Sequence, residues 1–311
     1  MNQARIVVLG SLNMDMVLRV PHFPVAGETL LGHDLRHVPG GKGGNQAVSC
    51  ARQGAAVRLL SCVGEDAYGA QLLTALRSDG IDVSHVQQVR DASTGVAVIS
   101  VDDAGQNQIV VMAGANQQLR VPEAQLKSLL GDADFVVLQF ETPLSEVNQA
   151  LQIARQAGCK VALNPSPFHA LEESWWSAID VLVVNETEAK GLSTIEVDSP
   201  ANAAQAARFL HAKGIAQVVV TLGSSGAVVC DATGVRWHEA VVVKAVDTTA
   251  AGDTFLGALT VQLAQGATLD DATQWAMRAA SICVTRAGAQ PSIPRRDEVE
   301  ALTQPTRWSP L

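Results

Sequence analysis

The chain has 311 residues, 47% hydrophobic and 17% charged, a balance that supports a large buried core and excludes a disordered chain. Its net charge of -9 and pI near 5.2 exclude a protein that grips nucleic-acid phosphates through a basic face, but not one that binds a small anion at a locally positive site. The length allows one large α/β domain or two modest ones.

The chain opens on a strand-like apolar run at 6–9, with no charged-then-apolar leader before it. No apolar run is long enough to span a membrane, so a cytoplasmic protein without a membrane partner is expected. The five cysteines, Cys50, Cys62, Cys159, Cys230 and Cys283, are scattered and mostly sit in apolar runs. They read as buried free thiols in a reducing compartment. The seven histidines show no zinc-binding spacing.

Further along, 57–62, 135–138, 160–163, 181–184 and 218–221 repeat the short apolar pattern of buried strands. Between them, 45–53, 67–78, 144–157 and 201–213 have helical spacing and end at Gly54, Gly80, Gly158 and Gly214, suited to left-handed C-caps. The alternation predicts βαβ units and a mostly parallel sheet with helices on both faces. Two segments break the rhythm: 17–20 with 28–38, and 94–101 with 106–112, strand-like pairs without a helix between them. They predict a small antiparallel sheet attached to the main body, whether as a lid, a dimer surface or decoration. A further strand is expected at 241–246 and a tail at 304–311. There is no Ser/Gly linker and no internal repeat to mark separate domains.

Three segments could carry chemistry. After the expected strand at 241–246, the small-residue turn 247–252 leads into a helical pattern beginning at Asp253. Such a turn leaves the first backbone N–H groups of the helix open to an anion, and a carboxylate beside them can take a proton from a hydroxyl. The same pattern also suits an ordinary first-turn helix acid. The glycine cluster 39–45, with Gly41, Lys42 and Asn45, is neither a P-loop nor a dinucleotide fingerprint. It offers close backbone approach, a cation and an amide, which fit a polyhydroxyl ligand. After the first strand, Asn13 and Asp15 lie two apart and so face the same way in extended chain, able to grip neighbouring hydroxyls. Weaker signals follow two later strands: 185–188, which by itself reads best as a helix cap, and the glycine loop 221–226, which could admit a nucleotide.

Taken in order, the stretches 10–15, 40–47, 185–188, 247–254 and 284–292 resemble the ribokinase family, the PfkB-type carbohydrate kinases, over nearly the whole chain from Ile6 to Pro294. The resemblance implies one domain over 1–311, a three-layer α/β/α sandwich with a β lid built from about 15–38 and 94–112. It implies ATP-dependent phosphorylation of a ribose-like sugar at its 5-hydroxyl, with Asp253 as the base and Ala250, Ala251 and Gly252 lining an anion hole. Asn13, Asp15, Gly41, Lys42, Asn45 and Glu141 would hold the sugar. Asn185, Thr221, Gly223, Ser224, Gly226 and Gly252 would border ATP, with Met277 near the adenine and Glu188 acting on Mg²⁺ through water. Asp247, Thr249, Cys283, Arg286, Gly288 and Ser292 would surround a K⁺ ion, mostly through carbonyls. The lid would shield the site and form a homodimer contact. Leu256 stands where the family often carries Asn, and Gly44 replaces its usual Ala. A sister kinase acting on another sugar or a nucleoside, and a non-catalytic sugar-binding homologue, are the competing expectations.

Overall fold

The structure is a computed structural model and describes residues 3–303 and 307–311. The chain begins with β1 (Arg5–Leu9), β2 (Asn13–Arg19), β3 (Asp34–Gly40), α1 (Lys42–Arg52), β4 (Ala56–Gly64), α2 (Ala67–Ser78), β5 (Val86–Val89), β6 (Gly95–Val101) and β7 (Asn107–Met112). It continues through α3 (Glu123–Leu130), β8 (Phe135–Leu138), α4 (Leu144–Ala157), β9 (Lys160–Leu163), β10 (Val181–Val184), α5 (Glu186–Ser193), α6 (Pro200–Ala212) and β11 (Gln217–Thr221). The last part holds β12 (Ala227–Asp231), β13 (Gly234–His238), α7 (Ala251–Ala264), α8 (Leu269–Cys283), α9 (Arg296–Ala301) and β14 (Trp308–Pro310).

Ten strands form one sheet in the order β14-β13-β12-β11-β10-β9-β8-β1-β4-β5, parallel from β11 to β5. Side chains alternate between its faces. Val7, Leu9, Val136, Leu138, Leu182 and Val184 join a core with α3, α4 and α6, while Ile6, Val8, Phe135, Val137, Val181 and Val183 join another with α1, α2, α7 and α8. Each fully buried Val, Leu or Phe contributes roughly 1.5–3 kcal/mol, and both faces are covered. That is why these strands read as unbroken apolar runs. Gly54, Gly80, Gly158 and Gly214 all adopt the positive φ expected after a helix end. Among the described residues no helix is long and apolar enough to cross a membrane.

The smaller sheet runs β3-β2-β6-β7. Its outer pairs, β2–β3 and β6–β7, are antiparallel, but its centre, β2–β6, is parallel. The reason is topological: β2 follows β1 and β6 follows β5, and both of those strands point the same way in the main sheet. All of β7 is exposed, including Ile109, Val110, Val111 and Met112.

Two further local expectations change, and one group of strands was not foreseen. Residues 241–246 form no strand, and Val242 is 88% exposed. Both neighbouring positions of β13 are already taken, by β12 and β14. The chain turns instead to the end of α8, where the N–H groups of Val246 and Asp247 donate to Val284 O. The expected tail is also partly structured: β14 pairs with β13, while residues 304–306 lie outside the described residues. The antiparallel edge β12–β14 was hidden by its charged residues. Buried Arg236 on β13 donates to Asp231, Thr233 and Gly234 within its own hairpin and to Asp270 on α8, and buried His238 pairs through Nε2 with the same Asp270.

Candidate active site

Most of the expected site residues lie just beyond the carboxyl ends of neighbouring parallel strands. Asn13 follows β1, Glu141 follows β8, Asn185 follows β10, and Thr221 ends β11. Ligands of open α/β sheets bind along this edge.

Glycines let the first of these segments close on α1. An added Cβ on Gly43 would lie 2.5 Å from the backbone of Gly10 and Ser11, and one on Gly40 would lie 2.2 Å from an Asp15 carboxylate oxygen. Ser11 Oγ and the Lys42 N–H both donate to Glu141 Oε2, tying the ends of β1 and β8 to the start of α1. Asn116 donates Nδ2 to Asn13 Oδ1 at 2.8 Å and also holds the Leu12 backbone.

Asn13 and Asp15 are both buried, as their shared face of β2 requires. The Asp15 carboxyl group has no hydrogen-bond partner among the described residues, and its pKa rises to about 7. Burial is the main cause, and the charges of Glu141 and Asp253 add to it. For Lys42, burial works to lower the ammonium pKa, but the carboxylates of Asp253, Glu141 and Glu188 outweigh it and hold the pKa above the ordinary value. Lys42 therefore stays charged among acids, which supplies the local positive charge an acidic chain needs beside an anion.

Asp253 sits in the first turn of α7 and is 7% exposed. Gly257 brings that helix against α1: an added Cβ there would lie 2.5 Å from Ser49, whose Oγ donates to Thr254 O at 2.9 Å. At this separation Asn45 Nδ2 donates to Asp253 Oδ2 and Gln46 Nε2 to Oδ1, each at 2.9 Å. Ala250 caps the helix in a left-handed conformation, φ 60°, with no side-chain cap. The Ala251 N–H turns back to Thr248 O at 3.2 Å, whereas the N–H groups of Gly252 and Asp253 have no partner among the described residues. An added Cβ on Gly252 meets nothing within 4 Å. Packing therefore does not demand a glycine there, and the space beside the open N–H groups stays clear.

Behind this turn, Asp247 Oδ1 accepts from the Thr249 N–H and hydroxyl, and Oδ2 accepts from the Gly288 N–H. Burial pushes its pKa up, but these bonds outweigh it and leave the pKa below the usual carboxylate value. Cys283 Sγ lies 3.0 Å from Ser292 Oγ and donates to Thr249 O at 3.7 Å. Asp247, Thr249, Cys283, Gly288 and Ser292 thus converge, while the Arg286 side chain turns away to pair with Glu298. Among the described residues no three His, Cys, Asp or Glu side chains gather as a metal cluster.

Beyond the end of β10, Asn185 and Glu188 form a capping box. Glu188 Oε2 accepts from the Asn185 N–H and from Asn164 Nδ2, both at 3.1 Å, leaving Oε1 for other partners. Gly223 and Gly226 take positive φ, and Gly223 and Ser224 are exposed on their loop. Thr221 Oγ1 donates to Val184 O. Met277 is 7% exposed and packs in the core with α7. The sequence reading missed Gln46, Asn116 and Asn164. Asn164 follows β9 directly and could have been found as a strand-end polar residue, but Asn116 carries no local signal.

A carboxylate held beside open helix N–H groups, with buried amide and carboxylate side chains able to bond hydroxyls on one hand and a glycine loop on the other, has the chemistry of a phosphotransferase acting on an alcohol. A model of the pfkB family of carbohydrate kinases matches residues 3–296. A ribokinase of Haemophilus influenzae is 42% identical over 94% of this chain and 96% of its own length. A ribokinase of Schizosaccharomyces pombe is 41% identical over 95% and 96%. A solved structure of Arabidopsis thaliana ribokinase complexed with ribose and ATP superposes with a TM-score of 0.90 at 31% identity, covering 97% of this chain and 99% of that one. The chain belongs to the pfkB family of carbohydrate kinases. It is an enzyme that transfers a phosphoryl group to a sugar hydroxyl.

Proposed function

We propose that the chain phosphorylates D-ribose on its 5-hydroxyl, using ATP and releasing ADP. The observation that carries this reading is Asp253, fixed on both carboxylate oxygens beside the open N–H groups of α7. The likeness to proteins named ribokinase supports ribose as the sugar. Asn13 and Asp15, buried on one face of β2, suit adjacent sugar hydroxyls, joined by Gly41, Lys42, Asn45 and Glu141.

Phosphoryl transfer has a loose transition state, so position and charge matter more than a strong base. Asp253 takes the proton of the 5-hydroxyl as its oxygen bonds to phosphorus. The first-turn N–H groups and Lys42 meet the charge on the phosphoryl oxygens. Asn185, Thr221, Gly223, Ser224 and Gly226 border ATP, with Met277 behind the adenine.

Glu188 would act on Mg²⁺ through water from its free Oε1. The donors around Asp247, Thr249, Gly288 and Ser292 are mainly oxygens, which suits a hard monovalent cation such as K⁺. When bound, that ion would add positive charge behind the anion-binding turn. The small sheet would act as a lid that excludes water. Its exposed apolar strand β7 supports a homodimer contact. The buried free thiols suit a reducing compartment such as the cytoplasm.

A sugar panel assayed by ADP release with Mg²⁺, in K⁺ or Na⁺, tests the assignment. Ribose should be the best acceptor and K⁺ the better activator. Ribose no better than background would overturn the substrate, and equal rates in the two salts would remove the cation site. Gly252→Val tests the anion hole. It should melt within a few degrees of the parent, because a Cβ there meets nothing within 4 Å, yet lose roughly a hundredfold in kcat. Unchanged turnover would place the phosphoryl group elsewhere.

A further inference from the structure

Helix α1 reaches Asp253 through two neighbouring amides that differ in surroundings. Asn45 is 5% exposed, and its Oδ1 has no partner among the described residues, so it can serve the carboxylate and a ligand together. Gln46 is 0% exposed and has no route to a dissolved substrate. Among the described residues its side chain makes one hydrogen bond, from Nε2 to Asp253 Oδ1 at 2.9 Å, and its buried Oε1 has no partner. An unsatisfied buried carbonyl destabilises the fold, and an apolar side chain of similar size would avoid that cost. Packing alone therefore does not account for a glutamine here.

We infer that Gln46 is a positioning residue that holds the Asp253 carboxylate toward α1 and away from its own helix N-terminus. This rests on the reading of Asp253 as the base. A first-turn aspartate is attracted to the positive end of its helix. In α7 that attraction is strong, because Ala250 provides no cap and the N–H groups of Gly252 and Asp253 are open. A carboxylate folded back onto them would occupy the place of the incoming phosphoryl group and lose its reach to the hydroxyl. Donors on both oxygens oppose that motion, and bonds to an ionised acceptor are about twice as strong as neutral ones.

Two variants of the full chain test this, assayed with ATP, Mg²⁺ and the best sugar acceptor. Gln46→Met should lower kcat roughly ten- to a hundredfold, the effect of one charge-assisted hydrogen bond, with the sugar KM within about threefold. Gln46→Glu should work while the new carboxyl is protonated and can donate. It should lose turnover as pH rises and the group ionises beside Asp253, adding an alkaline limb that the parent lacks. Parent-like kcat in Gln46→Met, a loss confined to KM, or a Gln46→Glu profile parallel to the parent's would overturn the inference. If Gln46→Met misfolds, the Gln46→Glu pH profile still decides. Asp253→Asn assayed alongside separates the two failures. If it turns over normally, the base assignment fails; if it is inactive while Gln46→Met is fully active, only the role of Gln46 fails.

Discussion

Asp253→Asn is expected to lower kcat by roughly three to four orders of magnitude while the protein melts within a few degrees of the parent. The two consequences have different origins. Turnover falls because an amide cannot take the hydroxyl proton, and the remaining rate comes from binding and the helix N-terminus. The fold survives because the site can re-pair. One amide nitrogen of the new side chain would face an existing donor, but Asn45 Oδ1 and Gln46 Oε1 are both free acceptors. A flip of either neighbour restores a hydrogen bond. Single-turnover measurements of ADP formation, with melting curves on the same samples, check both halves. Turnover comparable to the parent would remove Asp253 from its role.

Asp15→Asn should move stability and sugar affinity in opposite directions. The Asp15 pKa rises from 3.8 to about 7 in the folded chain. Between those values the folded state holds a proton that the unfolded state releases, so this group lowers stability as pH rises from about 4 to about 7. Above that range the ionised carboxylate carries its full penalty, on the order of 4 kcal/mol at about 1.4 kcal/mol for each factor of ten in acidity. The asparagine variant should therefore be more stable than the parent at pH 8, and the gain should vanish near pH 4. The same charge is what hydroxyl donors recognise. Its loss should raise the ribose KM roughly a hundredfold or more. In the parent, ribose should stabilise the protein more at pH 8 than at pH 5.5, because the ligand meets the ionised form. Melting curves across pH, with and without ribose, test this. A variant no more stable at pH 8 would show that the Asp15 charge carries no folding cost.

Much of this molecule was legible locally. The apolar runs of β1, β8, β9 and β10 marked a sheet buried on both faces, and Gly54, Gly80, Gly158 and Gly214 marked the helix ends. The small-residue turn before Asp253 announced an open helix start. What was misread depended on competition between distant segments. Residues 241–246 have a good strand pattern but no place beside the preceding strand β13, because β12 and β14 occupy both of its sides. Arg236 and His238 disguised a strand because one partner that lets them be buried, Asp270, lies on α8.

The sequence by itself determined the layered α/β architecture and the set of chemical groups available to the site. Periodicity, turn residues and strand-end polar residues are written within a few positions of one another. Only the tertiary structure decided how those groups are used. Asn45 and Gln46 reach Asp253 across 208 and 207 residues, because Gly257 lets two helices touch. Asp15 becomes a poised carboxylate because burial, Glu141 and Asp253 act on it together. Hydrogen bonds and charges act through space, so their partners are set by packing rather than by neighbourhood along the chain. For Asp253, a helix-start acid in the sequence became a carboxylate held on both sides with open N–H groups next to it.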